Sequence, residues 1–140
     1  ALVEHVEACG LTSRVLLPGV VESIDELLCA ANLMVCVESK ANDLQLLLSA
    51  MAAGLPVVAS DDPVHRFVLD NNQHGLLFPA QDEHQCAGCI ARLLEQPTLA
   101  DILGRNARQR IVDTFSRRQR VEGFRNVIQS LLATKQTGQQ

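Results

Sequence analysis

Two cysteines three residues apart, Cys86 and Cys89, have the spacing of a zinc or thiol–disulfide site, and His84 precedes them. Zinc would need a second pair of ligands, and the sequence contains neither a second CxxC nor an HxxxH. Redox chemistry would need the pair at the start of a helix that follows a strand. Instead the pair falls inside the helical pattern from Asp82 to Glu95 and shares one apolar stripe with positions 90, 93 and 94. We therefore interpret both cysteines as core side chains.

The polar segment from Glu38 to Gln45 could bind phosphate. It is predicted to be a loop between a buried strand at 33–37 and a buried helix at 46–53. In an open parallel sheet, ligands bind beyond the carboxyl ends of the strands, and helix N-termini there offer unpaired backbone N–H groups. The residues at that position are Asn42, Asp43, Leu44 and Gln45. The pattern suits a pyrophosphate-linked ligand, although several other loops are physically equivalent.

The four histidines are scattered along the chain, and only His65 falls in a predicted loop directly after a strand. Open parallel sheets bind ligands at such loops, but a single loop histidine is more often solvated than functional. The sequence has no GxGxxG, no GxxxxGK followed by Ser or Thr, and no GxSxG. The familiar dinucleotide, P-loop and nucleophile-elbow fingerprints are therefore missing.

Four short apolar runs are predicted to be the strands that position these residues. They lie at 14–19, 33–37, 56–60 and 76–78. Helical patterns separate them, at 1–9, 23–32, 46–53 and briefly within 61–70, and a long one follows at 82–133, broken near 97 and 115–116. Buried strands that alternate with helices predict right-handed crossovers and a parallel sheet covered by helices. The predicted fold class is therefore α/β, a three-layer Rossmann-like domain with additional C-terminal helices.

The composition of the 140 residues, 47% apolar and 20% charged, is that of one globular domain. The sequence has neither the 18 to 20 consecutive apolar residues, roughly, that a membrane span needs nor a secretory leader. The five cysteines are odd in number and set among aliphatic residues, which favours reduced core thiols in a cytosolic protein. Because Trp and Tyr are absent, stacking of single-stranded nucleic acid is disfavoured. The first residue is Ala1 rather than Met, and we interpret the chain as a piece of a longer protein.

Charge is unevenly distributed along the chain. Residues 1–100 contain 4 basic and 13 acidic side chains, whereas residues 101–140 contain 8 basic and 3 acidic ones. A basic end of this kind could contact an anionic membrane surface or RNA. Alternatively, it is a solvated face of the terminal helices that pairs with acidic surface elsewhere, and this second interpretation is favoured.

The string at 47–60, LLSAMAAGLPVVAS, resembles the LLEAMAxGxPVVAS core of retaining glycosyltransferases of the family-four type. Further similarities follow the same order along the chain: residues 14–19 resemble the DRVxFLG strand, 30–35 the ADV strand, 75–79 the GLLVP strand and 82–97 the DxxxLAxAIxxLLExP helix. The last match places Cys86 in a leucine position and Cys89 in an alanine position, in agreement with their interpretation as core residues. The resemblance covers about residues 2 to 125.

This resemblance implies the C-terminal, nucleotide-sugar-binding half of a two-domain GT-B fold. In that family the donor lies in the cleft between two Rossmann-like domains. The base would lie near Val20 and Val21, and the phosphates and sugar near Asn42 to Gln45. No metal or other cofactor is expected, because backbone N–H groups and a basic pair, here upstream of Ala1, would hold the leaving diphosphate. The implied partners are the nucleotide-sugar donor and an acceptor-binding N-terminal domain of the same protein.

The sequence departs from the family pattern at its paired glutamates. The second glutamate is replaced by Ser49, and the first falls on Ala41 or Asn42, with Asp43 close but shifted. The Gly-Phe-Gly stretch is also absent. A serine can still bond one ribose hydroxyl, but losing a charge-assisted contact would cost about 1 to 3 kcal/mol of donor affinity.

Two functional hypotheses follow. Either residues 1–134 form the donor-binding domain of a divergent but active glycosyltransferase, or they form a degenerate domain that acts as a scaffold or regulatory partner. A phosphosugar epimerase of the same architecture fits the sequence around Ser49 less well. The predicted location is the cytoplasm, with the inner face of a membrane as the other option and no nucleic acid as partner. Residues 135–140 are predicted to be a flexible tail.

Overall fold

Three parallel strands form the centre of the molecule, whose computed structural model describes residues 2–37 and 41–137. The strands are β1 (Met34–Cys36), β2 (Val57–Asp61) and β3 (Leu76–Pro79), paired in that order. The helices are α1 (Leu2–Ala8), α2 (Ile24–Ala30), α3 (Ala41–Ala53), α4 (Pro63–Val68), α5 (Glu83–Glu95), α6 (Pro97–Arg110), a π-helical turn (Ile111–Phe115) and α7 (Arg117–Thr137). The predicted α/β class, with a parallel sheet flanked by helices, is confirmed.

The core lies on both faces of the sheet, because successive side chains of β2 point to opposite sides. Val57 and Ala59 belong to one buried cluster, with Leu47, Ala50 and Met51 of α3. The opposite cluster contains Val58 of β2, and its other buried members are Leu76, Phe78, Leu93 and Leu103. Each of these side chains is at most 2% exposed. A strand that is buried on both faces reads as a continuous apolar run, which is why the sequence predicted it well.

A close backbone contact fixes α6 against the turn between α3 and β2. Gly54 ends α3 with a φ of +82°, a conformation that glycine adopts at low cost. Gly104 of α6 packs against this turn, and a Cβ on Gly104 would overlap the carbonyl oxygen of Gly54. The two glycines therefore let a helix and a turn approach backbone to backbone, and this contact sets where β2 begins.

The predicted strand at 14–19 is wrong. Residues 15–17 form no regular element, and none of the three strands of the described ranges pairs with them. Leu16 is 83% exposed, whereas a buried strand was predicted. An apolar run becomes a strand only where a neighbouring strand accepts its backbone hydrogen bonds, and local sequence does not show whether that neighbour is present.

The five cysteines form no disulfide with one another, and only some of them belong to the core. Cys36 is buried, and Cys86 and Cys89 are half-buried against the cluster around Phe78, as predicted. Cys9 and Cys29 are exposed, so the prediction that every cysteine is a core thiol is wrong. Burial, and then the neighbouring Cys89, raise the pKa of Cys86, which makes it a poor nucleophile near neutral pH.

The C-terminal third is helical and breaks where the sequence predicted. α5 ends before Pro97, and the π-helical turn ends at Phe115, just before Ser116 and α7. α7 continues to Thr137, past the start of the predicted flexible tail at residue 135, and residues 138–140 lie outside the described part of the chain. Among the helices that the structure describes, none combines the length and apolarity that crossing a bilayer requires.

Candidate functional site

The carboxyl ends of β1 and β2 meet at one edge of the sheet and form the candidate site. The register pairs Cys36, the last residue of β1, with Ala59, and β2 continues beyond this pair through Ser60 and Asp61. Two helices, α3 and α4, begin at this edge and pack against each other. Open parallel sheets bind their ligands at such an edge, where strand ends and helix starts converge.

The residues predicted as a phosphate-binding loop, Asn42 to Gln45, lie instead in the first turns of α3, which begins at Ala41. The predicted loop at 38–45 is therefore wrong for 41–45, and 38–40 lie outside the described residues. Polar residues at the start of a helix resemble a loop in sequence, since the first turn has no intrahelical partners for its N–H groups. N–H groups of this kind are the ones by which helix N-termini bind anions.

Side chains on α3 divide between the core and an outer face. Leu44 packs against the buried cluster around Met51, so it contributes backbone rather than a ligand-binding side chain. Gln45 is exposed and Ser49, one turn later, is half-buried. Residues four apart lie on the same helical face. The structure therefore brings Gln45 and Ser49 together on one face of α3, about 6 Å apart along the helix axis.

The predicted base-binding residues, Val20 and Val21, lie in the segment before α2. Val20 is 99% exposed and Val21 is 36% exposed. α2 packs against α3, but no described contact joins either valine to Gln45 or Ser49. Their role toward a ligand stays a prediction.

A buried polar network at the end of β2 is a feature that sequence reasoning missed. Asp62 is the N-cap of α4, and its Oδ1 accepts hydrogen bonds from the backbone N–H groups of Val64 (2.9 Å) and His65 (3.0 Å). Its Oδ2 accepts the hydroxyl of Ser60 at 3.0 Å and lies 2.8 Å from Nδ1 of His65. One carboxylate thus ties the strand end to the start of the next helix.

The ring of His65 is fully buried, which makes the expectation of a solvated loop histidine wrong. Its Nδ1 lies 2.8 Å from the backbone oxygen of Ser60 as well as from the carboxylate of Asp62. Because both neighbours are acceptors, Nδ1 carries the proton and donates it. Nε2 is buried and has no hydrogen-bond partner within the described part of the chain.

The Ser60, Asp62 and His65 network is not a hydrolytic triad. In a triad the serine contacts one ring nitrogen and the carboxylate the other, whereas here both contact Nδ1, with Ser60 Oγ at 3.2 Å. Burial by itself would raise the pKa of Asp62. The backbone and ring of His65, together with Ser60 and Val64, outweigh burial and hold that pKa below its ordinary value of 3.8. The network therefore braces the turn and keeps Asp62 ionised.

An exposed ion pair stands beside this network. The guanidinium of Arg66 donates through Nε to Oδ1 of Asp61 and through Nη2 to Oδ2 at 2.8 Å. The hydrogen bond from Arg66, and to a smaller extent its charge, lower the pKa of Asp61, so the carboxylate is ionised at neutral pH. The pair joins Asp61, the last residue of β2, to Arg66 of α4.

Ordinary sequence signals could have identified the cap, though not the pair. An Asp directly before Pro63 is typical of a helix N-terminus, with the cap followed by proline in the first turn. The pairing of Asp61 with Arg66 and the burial of His65 depend on how α4 folds back on the sheet. Sequence spacing alone does not determine that.

The described residues offer no metal centre, and a polar cavity lies away from this edge. Within residues 2–37 and 41–137, no group of three or more His, Cys, Asp or Glu side chains could hold a metal ion. A polar cavity of about 390 Å³ lies near the start of β3, on the opposite edge of the sheet. Its lining includes Asn72, His74, Asn106, Gln109, Arg110 and Asp113. It therefore shares no residue with the candidate site.

A model of a known protein family matches most of the chain. Residues 1–110 match the family model described as "Glycosyl transferases group 1". A comparison with curated proteins found no match.

Solved structures share the fold. A sucrose-phosphate synthase from Thermosynechococcus elongatus is 29% identical with a TM-score of 0.83, over 95% of this chain and 34% of its own. Anabaena HepE, solved with UDP, is 20% identical with a TM-score of 0.80, over 95% of this chain and 36% of its own. The C-terminal domain of LpcC from Francisella tularensis is 19% identical with a TM-score of 0.72, over 83% of this chain and 61% of its own. The chain spans about a third of the length of the first two proteins.

Proposed function

Because the chain belongs to the group 1 family of glycosyl transferases, we propose that it is the donor-binding part of an enzyme that transfers a sugar from a nucleoside-diphosphate sugar. The observation that carries this proposal is the start of α3 at the carboxyl ends of β1 and β2. The backbone N–H groups at the start of α3, those of Ala41, Asn42 and Asp43, have no partner within the helix and would hold the donor phosphates, with Leu44 and Gln45 in the next turn. Solved structures of HepE with UDP and UDP-glucose make these ligands suitable probes.

The chemistry proposed for this edge is stabilisation of the departing diphosphate. Negative charge grows on the leaving group as the bond to the sugar breaks, and oriented N–H groups stabilise that charge most in a site from which water is excluded. We propose that no metal ion takes part, since the helix start supplies the positive dipole. Ser49, on the same face of α3 as Gln45, would bond a ribose hydroxyl, and Val20 and Val21 would lie near the base.

An acceptor-binding domain is proposed to complete the cleft. Exposed apolar side chains are concentrated in the first 37 residues, among them Leu16 (83%), Val20 (99%) and Val37 (61%). Large exposed apolar patches mark interaction sites in soluble proteins, and this concentration of exposed apolar side chains favours one here. The sucrose-phosphate synthase has about three times the length of the matched region. We propose that further strands and a second domain of the whole enzyme cover this surface.

The alternative is a degenerate domain with the same fold that binds no donor and acts as a scaffold or regulatory partner. It is favoured by Ser49, which stands where the family pattern has a glutamate, and by the lack of an acidic residue at 41 and 42. Both proposals predict the same fold, so only binding separates them.

Calorimetric titration of this chain with UDP, GDP and ADP tests the proposal. We expect saturable binding of one nucleotide. Ser49→Ala should weaken this binding about two- to tenfold, because one hydrogen bond is lost. Ser49→Glu should tighten binding about tenfold, because a carboxylate forms a charge-assisted bond to the ribose.

Ser23→Ala is the matched control, since Ser23 is also half-buried beside a helix and its side chain makes no capping hydrogen bond. This variant should bind as the unchanged chain does. A folded chain that binds none of the three nucleotides, with no gain in Ser49→Glu, would contradict donor binding and favour the degenerate domain.

A further inference from the structure

We propose that Asp61 and Arg66 contact hydroxyl groups of the sugar carried by the donor. This inference rests on the proposed function and assigns a part of the site that recognises the sugar rather than the nucleotide. It is carried by the position of the pair, by its hydrogen-bonding capacity and by the buried network that holds it.

The register of the sheet positions the pair at the candidate site. Asp61 is the last residue of β2 and is paired with Pro79, the last residue of β3. Cys36, the last residue of β1, pairs with Ala59, two residues before Asp61, and α4, which contains Arg66, packs against α3. A ligand whose phosphates lie at the start of α3 therefore extends along the edge on which the pair stands.

The hydrogen-bonding capacity of the pair fits a neutral ligand rich in hydroxyls. The side chains of Arg66 and Asp61 are 63% and 31% exposed, so both reach solvent. Arg66 donates two N–H groups to Asp61, and a guanidinium has further N–H donors that can bond a ligand. Each carboxylate oxygen of Asp61 likewise has a second lone pair that can accept a hydrogen bond. A sugar hydroxyl both donates and accepts, so adjacent hydroxyls can bond the carboxylate and the guanidinium together. A phosphate would be repelled by Asp61.

The buried network makes the backbone beneath the pair rigid. Asp62 and His65 stand next to the two charged residues in sequence, and both are held by hydrogen bonds of 2.8 to 3.0 Å. His65 is fully buried. Groups held on a rigid frame recognise a ligand with less loss of conformational freedom.

The experiment compares each nucleotide with its sugar conjugate on the full chain. Binding of UDP and UDP-glucose, and of GDP and GDP-mannose, is measured by calorimetry for the unchanged chain, Arg66→Ala, Arg66→Lys and Asp61→Asn. For whichever nucleotide binds, we expect the Kd of the nucleotide for Arg66→Ala to lie within about twofold of its Kd for the unchanged chain. The Kd of the sugar conjugate should rise about tenfold, as the loss of a charge-assisted hydrogen bond predicts. Arg66→Lys keeps the positive charge but not the bidentate geometry of the guanidinium, and it should weaken binding of the sugar conjugate less than Arg66→Ala does.

Arg105→Ala is the matched control, because Arg105 forms an exposed ion pair with Asp101 at 2.8 Å on α6. Arg105→Ala should change the Kd of neither the nucleotide nor the sugar conjugate. Equal losses of nucleotide and conjugate in Arg66→Ala, or no loss of either, would overturn the assignment and leave the proposed function standing. An unchanged chain that binds neither nucleotide nor conjugate would overturn both.

Discussion

Replacing Gly104 by alanine is expected to destabilise the protein by about 2 kcal/mol, although alanine is the better helix former. Gly104 is buried in α6 and faces the turn between α3 and β2. An added Cβ would overlap the carbonyl oxygen of Gly54 and lie 3.1 Å from its carbonyl carbon and 3.4 Å from the nitrogen of Pro56. All three atoms belong to the backbone, so no side chain can rotate away and α6 itself must shift.

The magnitude follows from two opposing contributions. Overpacking of a rigid core costs about 1 to 3 kcal/mol, with backbone overlap at the upper end. Replacing glycine inside a helix by alanine returns about 1 kcal/mol. Gly88 isolates the second contribution, because a Cβ at that position of α5 would have no atom within 4 Å. Gly88→Ala should therefore stabilise the protein by about 1 kcal/mol, and the two variants should differ by about 3 kcal/mol.

Thermal and urea unfolding followed by circular dichroism measure both variants. For a chain of this length each kcal/mol corresponds to about 3 °C in Tm, so Gly104→Ala should unfold about 6 °C lower and Gly88→Ala about 3 °C higher. A Gly104→Ala protein as stable as the unchanged chain would refute the close approach of α6 to the turn. Equal destabilisation by Gly88→Ala would show that the effect does not come from that contact.

Two further predictions concern the network and the thiols. Because folding lowers the pKa of Asp62 from its ordinary value of 3.8, the ionised carboxylate stabilises the folded protein at pH values above 3.8. This stabilisation is lost as the pH falls through the pKa of the folded state. Asp62→Asn should therefore be less stable than the unchanged chain at pH 7, and the difference should shrink below about pH 4 in urea unfolding; a constant difference would contradict the charged cap. Exposed Cys9 and Cys29 should react with a thiol reagent at neutral pH well before buried Cys36, as mass spectrometry of the labelled chain would show, and simultaneous labelling would contradict their exposure.

Elements with strong local patterns could be predicted from the sequence. The apolar runs at 33–37, 56–60 and 76–78 became β1, β2 and β3 with shifts of about one residue, and the breaks near Pro97 and Ser116 are present. The helical stripe that contains Cys86 and Cys89 packs on the sheet as predicted. Each of these features depends on residues close in sequence, because apolar periodicity, proline and glycine act locally.

Features that need a distant partner could not be predicted in the same way. The run at 14–19 has the composition of a strand, but no strand of the described residues accepts its hydrogen bonds. The start of α3 was predicted as a loop, because the polar residues of a helical first turn resemble loop residues. Exposed Cys9 and Cys29 have the same aliphatic neighbours in sequence as a core thiol has. Local composition did not distinguish these cases.

The sequence by itself determined the α/β class and the positions of the three strands and of α5, since these follow from hydrophobic periods and turn residues. Only the tertiary structure decided that His65 is buried, that Asp61 pairs with Arg66, and that Gly104 meets Gly54. Each depends on two segments being brought together by the packing of a helix onto the sheet. Such contacts are set by the whole core, because close packing leaves one arrangement in which distant segments fit.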